Sequence, residues 1–222
     1  MLAERGLFVL GLALIGFWLA SVWAADRFQA AASRQLEAAM GERGQGGSGG
    51  SAGERGTDLA PLARREADST GIVGKIEIPR LGISKVIGSG VDAKTLSQSV
   101  GHVPGTAYPG EPGSVGLAGH RDGVFRRLGE IRAEDLILVT TPDGDFAYLV
   151  DSTAVVPPER TDVLRARKDP SVILVTCYPF RWIGPAPNRF VVWAGTRSAK
   201  AAARAAARAG AKKPATPAAT RR

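Results

Sequence analysis

The stretch Ser171-Val-Ile-Leu-Val-Thr-Cys177 decides the fold class of this chain. It is apolar at consecutive rather than alternate positions, which indicates a short strand that is buried on both faces. Tyr178-Pro179 follows it, and a proline cannot donate a hydrogen bond to a neighbouring strand. We therefore expect a core strand that ends by delivering Cys177 to the rim of a sheet.

Two further runs end or begin with polar side chains at what we expect to be the same rim. The next apolar run is Arg189–Ala194 (RFVVWA), and an antiparallel pairing with the first strand would set the Arg189 guanidinium beside the Cys177 sulfur. Upstream, the run SVGLAGH ends in Gly119-His120, which places an imidazole at a strand terminus.

Short β-branched runs separated by Pro and Gly turns recur throughout residues 72–194. Thr141-Pro-Asp-Gly144 lies between two of them and predicts a hairpin turn. Helical patterning is confined to short pieces at 93–99 and 161–167. These residues predict one mostly-β barrel or sandwich of seven or eight strands.

The N-terminal region predicts a membrane anchor and a linker. Residues 6–25 (GLFVLGLALIGFWLASVWAA) carry no charge and would form a helix of about 30 Å, the thickness of a bilayer core. The alternative is a cleaved signal peptide, whose apolar region is usually shorter. We assign residues 1–25 to the anchor and 26–71 to a polar, Gly/Ser-rich linker with helical propensity at 26–40.

The net charge of +8 belongs to the C-terminus and not to the whole chain. Residues 195–222 hold eight basic residues and no acidic one, so the remainder is neutral. We expect a disordered tail that either is simply solvated or contacts an anionic surface. A domain without excess charge is not expected to bind nucleic acid.

One Cys and two His limit the chemistry available. A single Cys excludes an intramolecular disulfide, and this inventory is poor for a structural zinc site. Cys177, His120 and Arg189 together fit a thiol nucleophile, a proton donor and a cation for an oxyanion. Taken singly, Cys177 would be interpreted as a small buried side chain, His120 as a surface histidine and Arg189 as a charge at a strand edge. We interpret the other histidine, His102, as a turn or rim residue rather than a catalytic one.

These residues resemble the sortases, the membrane-anchored cysteine transpeptidases of bacterial cell surfaces. The resemblance covers residues 72–194 and rests on LVTCYPF (174–180), PNRFVV (187–192) and GLAGHRD (116–122), with the Tyr-Pro-Phe continuation most similar to class D. It implies an all-β fold, a flattened eight-stranded barrel with short helices, preceded by one transmembrane helix. It also implies that His120, Cys177 and Arg189 are catalytic and that Thr176 and Tyr178 bind substrate.

The resemblance further implies a reaction and its partners. A Leu-Pro-x-Thr-Gly or Leu-Pro-x-Thr-Ala sorting signal on a secreted protein would be cleaved after Thr, which leaves a thioacyl enzyme. An amine, such as that of a peptidoglycan precursor or a pilin Lys, would then attack the thioester and release the enzyme. The domain would lie outside the cytoplasm on a single-pass anchor. A hydrolase of the same fold and a non-catalytic tethered barrel that binds sorting signals or wall polymers stay open as alternatives. We expect no cofactor. Calcium, which some sortases bind, needs clustered oxygen ligands; the linear sequence contains no such cluster, and a site built from residues distant in sequence stays open as an alternative.

Overall fold

Eight strands form the body of the protein. The computed structural model describes residues 11–13, 15, 27–38 and 62–196. The strands are β1 Ile72–Ile78, β2 Ile83–Ser89, β3 Val100–His102, β4 Ser114–Ala118, β5 Leu136–Thr141, β6 Gly144–Val156, β7 Ser171–Tyr178 and β8 Asn188–Gly195. The helices are α1 at residues 27–38, α2 Leu62–Thr70 and α3 Ala93–Gln98, with 3-10 turns at Pro79–Leu81, Leu128–Glu130 and Thr161–Leu164.

The strands close into a barrel in the order β1-β2-β3-β4-β7-β8-β6-β5, with β5 pairing back to β1. Six of the neighbouring pairs are antiparallel, whereas β2–β3 and β4–β7 are parallel. The expected eight-stranded barrel is thus confirmed. The hairpin predicted at Thr141-Pro-Asp-Gly144 joins β5 to β6, where Thr141 pairs with Gly144.

The core lies inside the barrel and is built from alternate residues of each strand. On β7 and β8 the inward side chains Val172, Leu174, Val192 and Ala194 are fully buried. Burial of such β-branched and aliphatic side chains is the main stabilising contribution to the fold. The alternation also directs the intervening residues of both strands to the outer face of the barrel.

Two helices lie inside the stretch 26–71 that we assigned to the linker. On α2, Ala63 and Ala67 are buried in the core cluster, and the N–H groups of Leu62 and Ala63 donate to the Asp143 carboxylate. On α1, Ala32 is 2% exposed and packs beside strands β1 and β2. The folded body therefore begins before the predicted boundary at residue 72. Helix faces lined by alanine have only a weak hydrophobic pattern, so their burial could not be predicted from the sequence.

The predicted short helices are found near their expected positions. The piece at 93–99 forms α3. Asp92 is its N-cap, and the Asp92 side chain accepts from the N–H groups of Lys94 and Thr95. The piece at 161–167 contains only the 3-10 turn Thr161–Leu164.

The predicted membrane span at 6–25 and the basic tail at 195–222 fall largely outside the described residues. Within the part of the chain that is described, no helix has the length and apolar character needed to cross a bilayer.

Candidate active site

The ends of three adjacent strands bring His120, Cys177 and Arg189 into one row. Strands β4 and β7 are parallel with Ala118 opposite Val175, and the pairing continues beyond β4 because the Gly119 N–H donates to the Val175 carbonyl at 3.2 Å. Two residues beyond this register, His120 reaches the level of Cys177. On the other side of β7, Cys177 is directly opposite Arg189 of β8.

The row lies on the outer face of the barrel at its open end. Cross-strand partners share one face of a sheet, and Cys177 and Arg189 alternate with core residues, so both side chains point outward. The outward Ile173, four residues before Cys177 on β7, is fully buried, whereas Cys177 is half-buried. The segment between β6 and β7 covers the lower part of this face, where the Trp193 indole donates to the Val163 carbonyl. The Cys177 end of the outer face is therefore left partly exposed, and we call this end the groove.

The three side chains differ in how firmly they are held. His120 is exposed, but its carbonyl accepts hydrogen bonds from the N–H groups of Gly123 and Phe125 and so fixes a tight turn. The Arg189 guanidinium is half-buried and donates through Nη1 to the Ala186 and Asn188 carbonyls at 3.3 and 3.0 Å. Among the described residues its other N–H groups have no protein acceptor, so they can serve a bound oxyanion.

Thr176 lies at the end of β7 beside Cys177, and substrate binding by Thr176 stays a prediction. Its side chain is 3% exposed on the inward face of β7, and Oγ1 donates to the Gly119 carbonyl at 2.7 Å. A Cβ at Gly119 would lie 2.6 Å from the Val124 side chain and 2.7 Å from that of Phe125, so only glycine lets the turn after His120 pack this closely on the strand end. The hydroxyl thus ties the strand end that carries His120 to the strand that carries Cys177.

We expect Thr176→Val, which keeps the shape but removes the hydroxyl, to lower the free energy of unfolding by about 1–2 kcal/mol, because a buried carbonyl loses its donor. Activity should fall through kcat, since the strand end that carries His120 keeps the bond from the Gly119 N–H to β7 but loses the one from Thr176. Thermal unfolding and steady-state kinetics measure both effects. Thr176→Ser restores the hydroxyl and should recover most of both; equal losses in the two variants would contradict the positioning role.

Tyr178 lies on the opposite face of β7 from Cys177 and belongs to an aromatic cluster. Its ring centroid is 6.1 Å from that of Phe180 and 6.4 Å from that of Phe190, and Phe180 and Phe190 meet edge to face at 5.3 Å. The cluster packs against the core beneath the barrel end. Substrate binding by Tyr178 stays a prediction, and the observed role of its ring is to support the end of β7.

Arg121 is a site residue that the sequence reasoning missed. Its guanidinium donates to the carbonyls of Pro179, Trp182 and Gly184, at 3.2, 2.9 and 3.1 Å. It thereby joins the turn after His120 to the connection between β7 and β8. Its place beside His120 is the single sequence signal for this role, because the acceptors lie about 60 residues away along the chain.

His102 does not join the row. It lies on β3 opposite Leu117, is 2% exposed, and its Nε2 makes a 2.9 Å hydrogen bond with the Ala107 carbonyl. Its ring packs on that of Tyr108 with centroids 4.3 Å apart. We interpreted His102 as a turn or rim residue; its location is corrected to a buried position on the short strand β3, because the Pro/Gly-rich stretch around it carries no strand pattern.

Burial gives His102 a pH-dependent effect on stability. Desolvation lowers its pKa below 6.5; the Ala107 carbonyl and Glu111 oppose this shift, whereas Arg64 adds to it. The unfolded state therefore binds the proton more readily than the folded state. The contribution of His102 to the free energy of unfolding is constant above pH 6.5 and falls as the pH drops below that value. The limiting slope is about 1.4 kcal/mol per pH unit.

We expect His102→Gln to flatten this loss of stability between pH 7.5 and pH 5. Urea unfolding at several pH values measures it. His120→Gln is the comparison variant, because it removes the other histidine of the chain, which is exposed. An unchanged slope in His102→Gln would show that another group causes the acid sensitivity.

A metal site is not evident in the described part of the chain, where no three His, Cys, Asp or Glu side chains cluster in a way that could hold an ion.

Comparison with known proteins places these features in a family. The model of the sortase domain matches residues 76–197. Sortase D of Bacillus subtilis (strain 168) is 37% identical over 121 residues, which are 54% of this chain and 61% of that protein. The chain thus covers less than two thirds of this relative's length.

Solved structures agree with this similarity. A sortase D5 transpeptidase from Clostridium perfringens has a TM-score of 0.54 and 29% identity, covering 62% of this chain and 88% of that one. A Clostridium perfringens sortase C with the C-terminal cell wall sorting motif has a TM-score of 0.52 and 28% identity, covering 57% of this chain and 71% of that one.

Proposed function

The chain belongs to the sortase family, and from that premise we propose that it is a cysteine transpeptidase that joins a secreted protein to an amine on the cell surface. The observation that carries the proposal is the row of His120, Cys177 and Arg189 at one level of three adjacent strands. A thiol, an imidazole and a guanidinium on one open face are the groups that acyl transfer requires.

Cys177 is the proposed nucleophile. Its thiolate attacks the carbonyl carbon of the scissile Thr, and the resulting tetrahedral intermediate collapses with release of the Gly or Ala amine. The acyl group is left on sulfur as a thioester. A half-buried sulfur at a strand end suits this role, because it is reachable from the groove and held by the rigid barrel.

Arg189 is the proposed stabiliser of the oxyanion. Its Nη1 is anchored to the Ala186 and Asn188 carbonyls, and the remaining donors of the planar fork can bind the developing negative charge. His120 is the proposed acid that protonates the departing amine and the base that later deprotonates the acceptor. Thr176 and Arg121 position these groups from either side.

The proposed substrate is a protein with a Leu-Pro-x-Thr-Gly or Leu-Pro-x-Thr-Ala signal near its C-terminus. The similarity to a sortase C that was solved with its cell wall sorting motif supports this class of substrate. The connection 157–170 borders the open groove and is our candidate for setting the preferred signal, whereas Tyr178 supports the groove from beneath.

We also propose where the enzyme works. Residues 6–25 would anchor it in the cell membrane with the barrel outside the cytoplasm, and residues 195–222 would contact anionic headgroups or wall polymers. The neutral barrel and the basic tail support this division of roles.

Incubation of the full chain with a labelled Leu-Pro-x-Thr-Gly peptide and an amine tests the function. We expect a thioester on Cys177 by mass spectrometry and a product that contains the amine. Cleaved peptide without the amine would favour the hydrolase. Tight peptide binding without a thioester or cleavage would favour the non-catalytic barrel.

A further inference from the structure

The connection between β7 and β8 carries an exposed apolar tip at the end of the barrel where Cys177 lies. Ile183 is 100% exposed and its neighbour Trp182 is 50% exposed. Within residues 62–196, the other exposed large apolar side chains stand singly: Leu62, Val91 and Val155. Single exposed apolar residues are common on protein surfaces and call for no partner. The pair 182–183, which we call the tip, is the most apolar exposed point of this part of the chain.

Hydrogen bonds hold the tip in its outward position. Arg121 donates through Nη2 to the carbonyls of Trp182 and Gly184, at 2.9 and 3.1 Å. The Trp182 indole N–H donates to the Pro185 carbonyl at 3.0 Å. The backbone on both sides of Ile183 is therefore tied down, and the one polar atom of the indole is already paired. What the two side chains offer to a partner is apolar surface.

The charge around the tip favours a partner with negative groups. Residues 179–187 contain one basic residue, Arg181, and no acidic one. Arg181 is exposed and directly precedes Trp182. Tryptophan is enriched at membrane–water interfaces, because its ring is largely apolar and its edge is polar, and a neighbouring basic residue is attracted to anionic lipids. The composition of the tip is thus that of a segment in contact with a lipid surface.

The start of α1 lies at the same end of the barrel as the tip. Gln29 of α1 lines one cavity together with His120 and Asp122. Arg121, which holds the tip, belongs to the same turn as Asp122. The predicted span at 6–25 ends just before α1 begins. An anchor that leaves the bilayer at this point brings this end of the barrel, with its tip, to the membrane surface.

We propose that Trp182 and Ile183 insert into the headgroup region of the membrane leaflet that faces the barrel, and that Arg181 pairs with lipid phosphates there. A tip of two apolar residues would bind a separate vesicle weakly, but the anchor makes the contact intramolecular and so raises the effective concentration of lipid. Two attachments also fix an orientation that a single flexible one leaves free. The inference rests on the proposed anchor at 6–25 and does not depend on the chemistry of Cys177.

The depth of a spin label in the membrane tests this contact. In the full chain, Cys177→Ala removes the single cysteine, and Ile183→Cys then provides the labelling site. The labelled chain is reconstituted in vesicles of equal parts phosphatidylcholine and phosphatidylglycerol. Power-saturation electron paramagnetic resonance with oxygen and with a water-soluble nickel chelate measures the depth. We expect the label to lie about 5–10 Å within the interfacial region, where interfacial apolar groups reside.

Lys168→Cys in the same Cys177→Ala background is the matched control. Lys168 is exposed and precedes β7, whose first residue, Ser171, lies at the far end of that strand from Cys177. Its label should stay in water and be fully accessible to the nickel chelate. Protection of both labels would overturn the tip contact, because the protection would not be specific to this end of the barrel.

Three further outcomes would contradict the inference. A label at position 183 that stays in water, in a chain that floats with the vesicles, would overturn the tip contact and leave the anchor standing. A chain that does not float would overturn both. Protection of this label only after a sorting peptide is added would identify a substrate contact in place of a lipid contact. Thioester formation is measured separately on the unmodified chain, so failure of the proposed chemistry gives a different result.

Discussion

Replacing Cys177 by alanine is expected to abolish the thioester and to lower turnover of a sorting peptide by at least about 10³-fold. The nucleophile provides the covalent route, and the remaining groups can only polarise a carbonyl that nothing attacks. Mass spectrometry of the full chain after incubation with peptide measures the adduct. Release of the labelled fragment measures turnover.

The structure provides a control for this prediction. Val175 lies two residues before Cys177 on the same outward face of β7, so Val175→Ala tests whether loss of side-chain volume on that face is sufficient to impair turnover. We expect it to retain most activity. Cys177 is only half-buried, and it has no hydrogen-bond partner among the described residues. The free energy of unfolding of Cys177→Ala should therefore lie within about 1 kcal/mol of the parent value. Peptide cleavage by a folded Cys177→Ala variant would exclude thiol catalysis.

Replacing Arg189 by lysine is expected to reduce kcat/KM about 10²- to 10³-fold, although the positive charge is kept. The guanidinium holds the Ala186 and Asn188 carbonyls through Nη1 and keeps further donors for the oxyanion. A lysine ammonium is a single point of charge and cannot do both at once. Loss of one oxyanion donor has an effect of this size in other acyl-transfer enzymes.

Arg181→Lys is the matched control, because Arg181 is an exposed arginine in the same β7–β8 connection. It should leave kcat/KM within about twofold of the parent value. Near-complete activity in Arg189→Lys would mean that charge alone matters at this position, and an equal loss in both variants would point to a general effect of the connection.

Much of the barrel is predictable because alternation and turn chemistry are local properties. Consecutive apolar residues at 171–177 indicated a buried strand, and the adjacent run at 189–194 led to an antiparallel pairing with Arg189 beside Cys177, which the register confirms. The hairpin at 141–144 followed from its turn residues in the same way.

Helix α1 lies within the stretch 26–40 for which the sequence indicated helical propensity, but α2 and the packing of both helices on the barrel were not predictable. Alanine faces such as Ala63 and Ala67 become buried only because the barrel end provides a surface for them. Their attachment depends on groups far away in sequence, such as the Asp143 carboxylate that accepts from the first N–H groups of α2.

The sequence by itself determined the strands, the turns, and the identity of the thiol, imidazole and guanidinium, because residue type and short-range periodicity encode them. Tertiary structure alone decided two matters: the shared level of His120 and Cys177, and the use of Thr176 and Arg121 to hold that level. The physical reason is that each depends on contacts between segments more than about 50 residues apart. Which segments meet is fixed only when the barrel closes and its strands take their order and register.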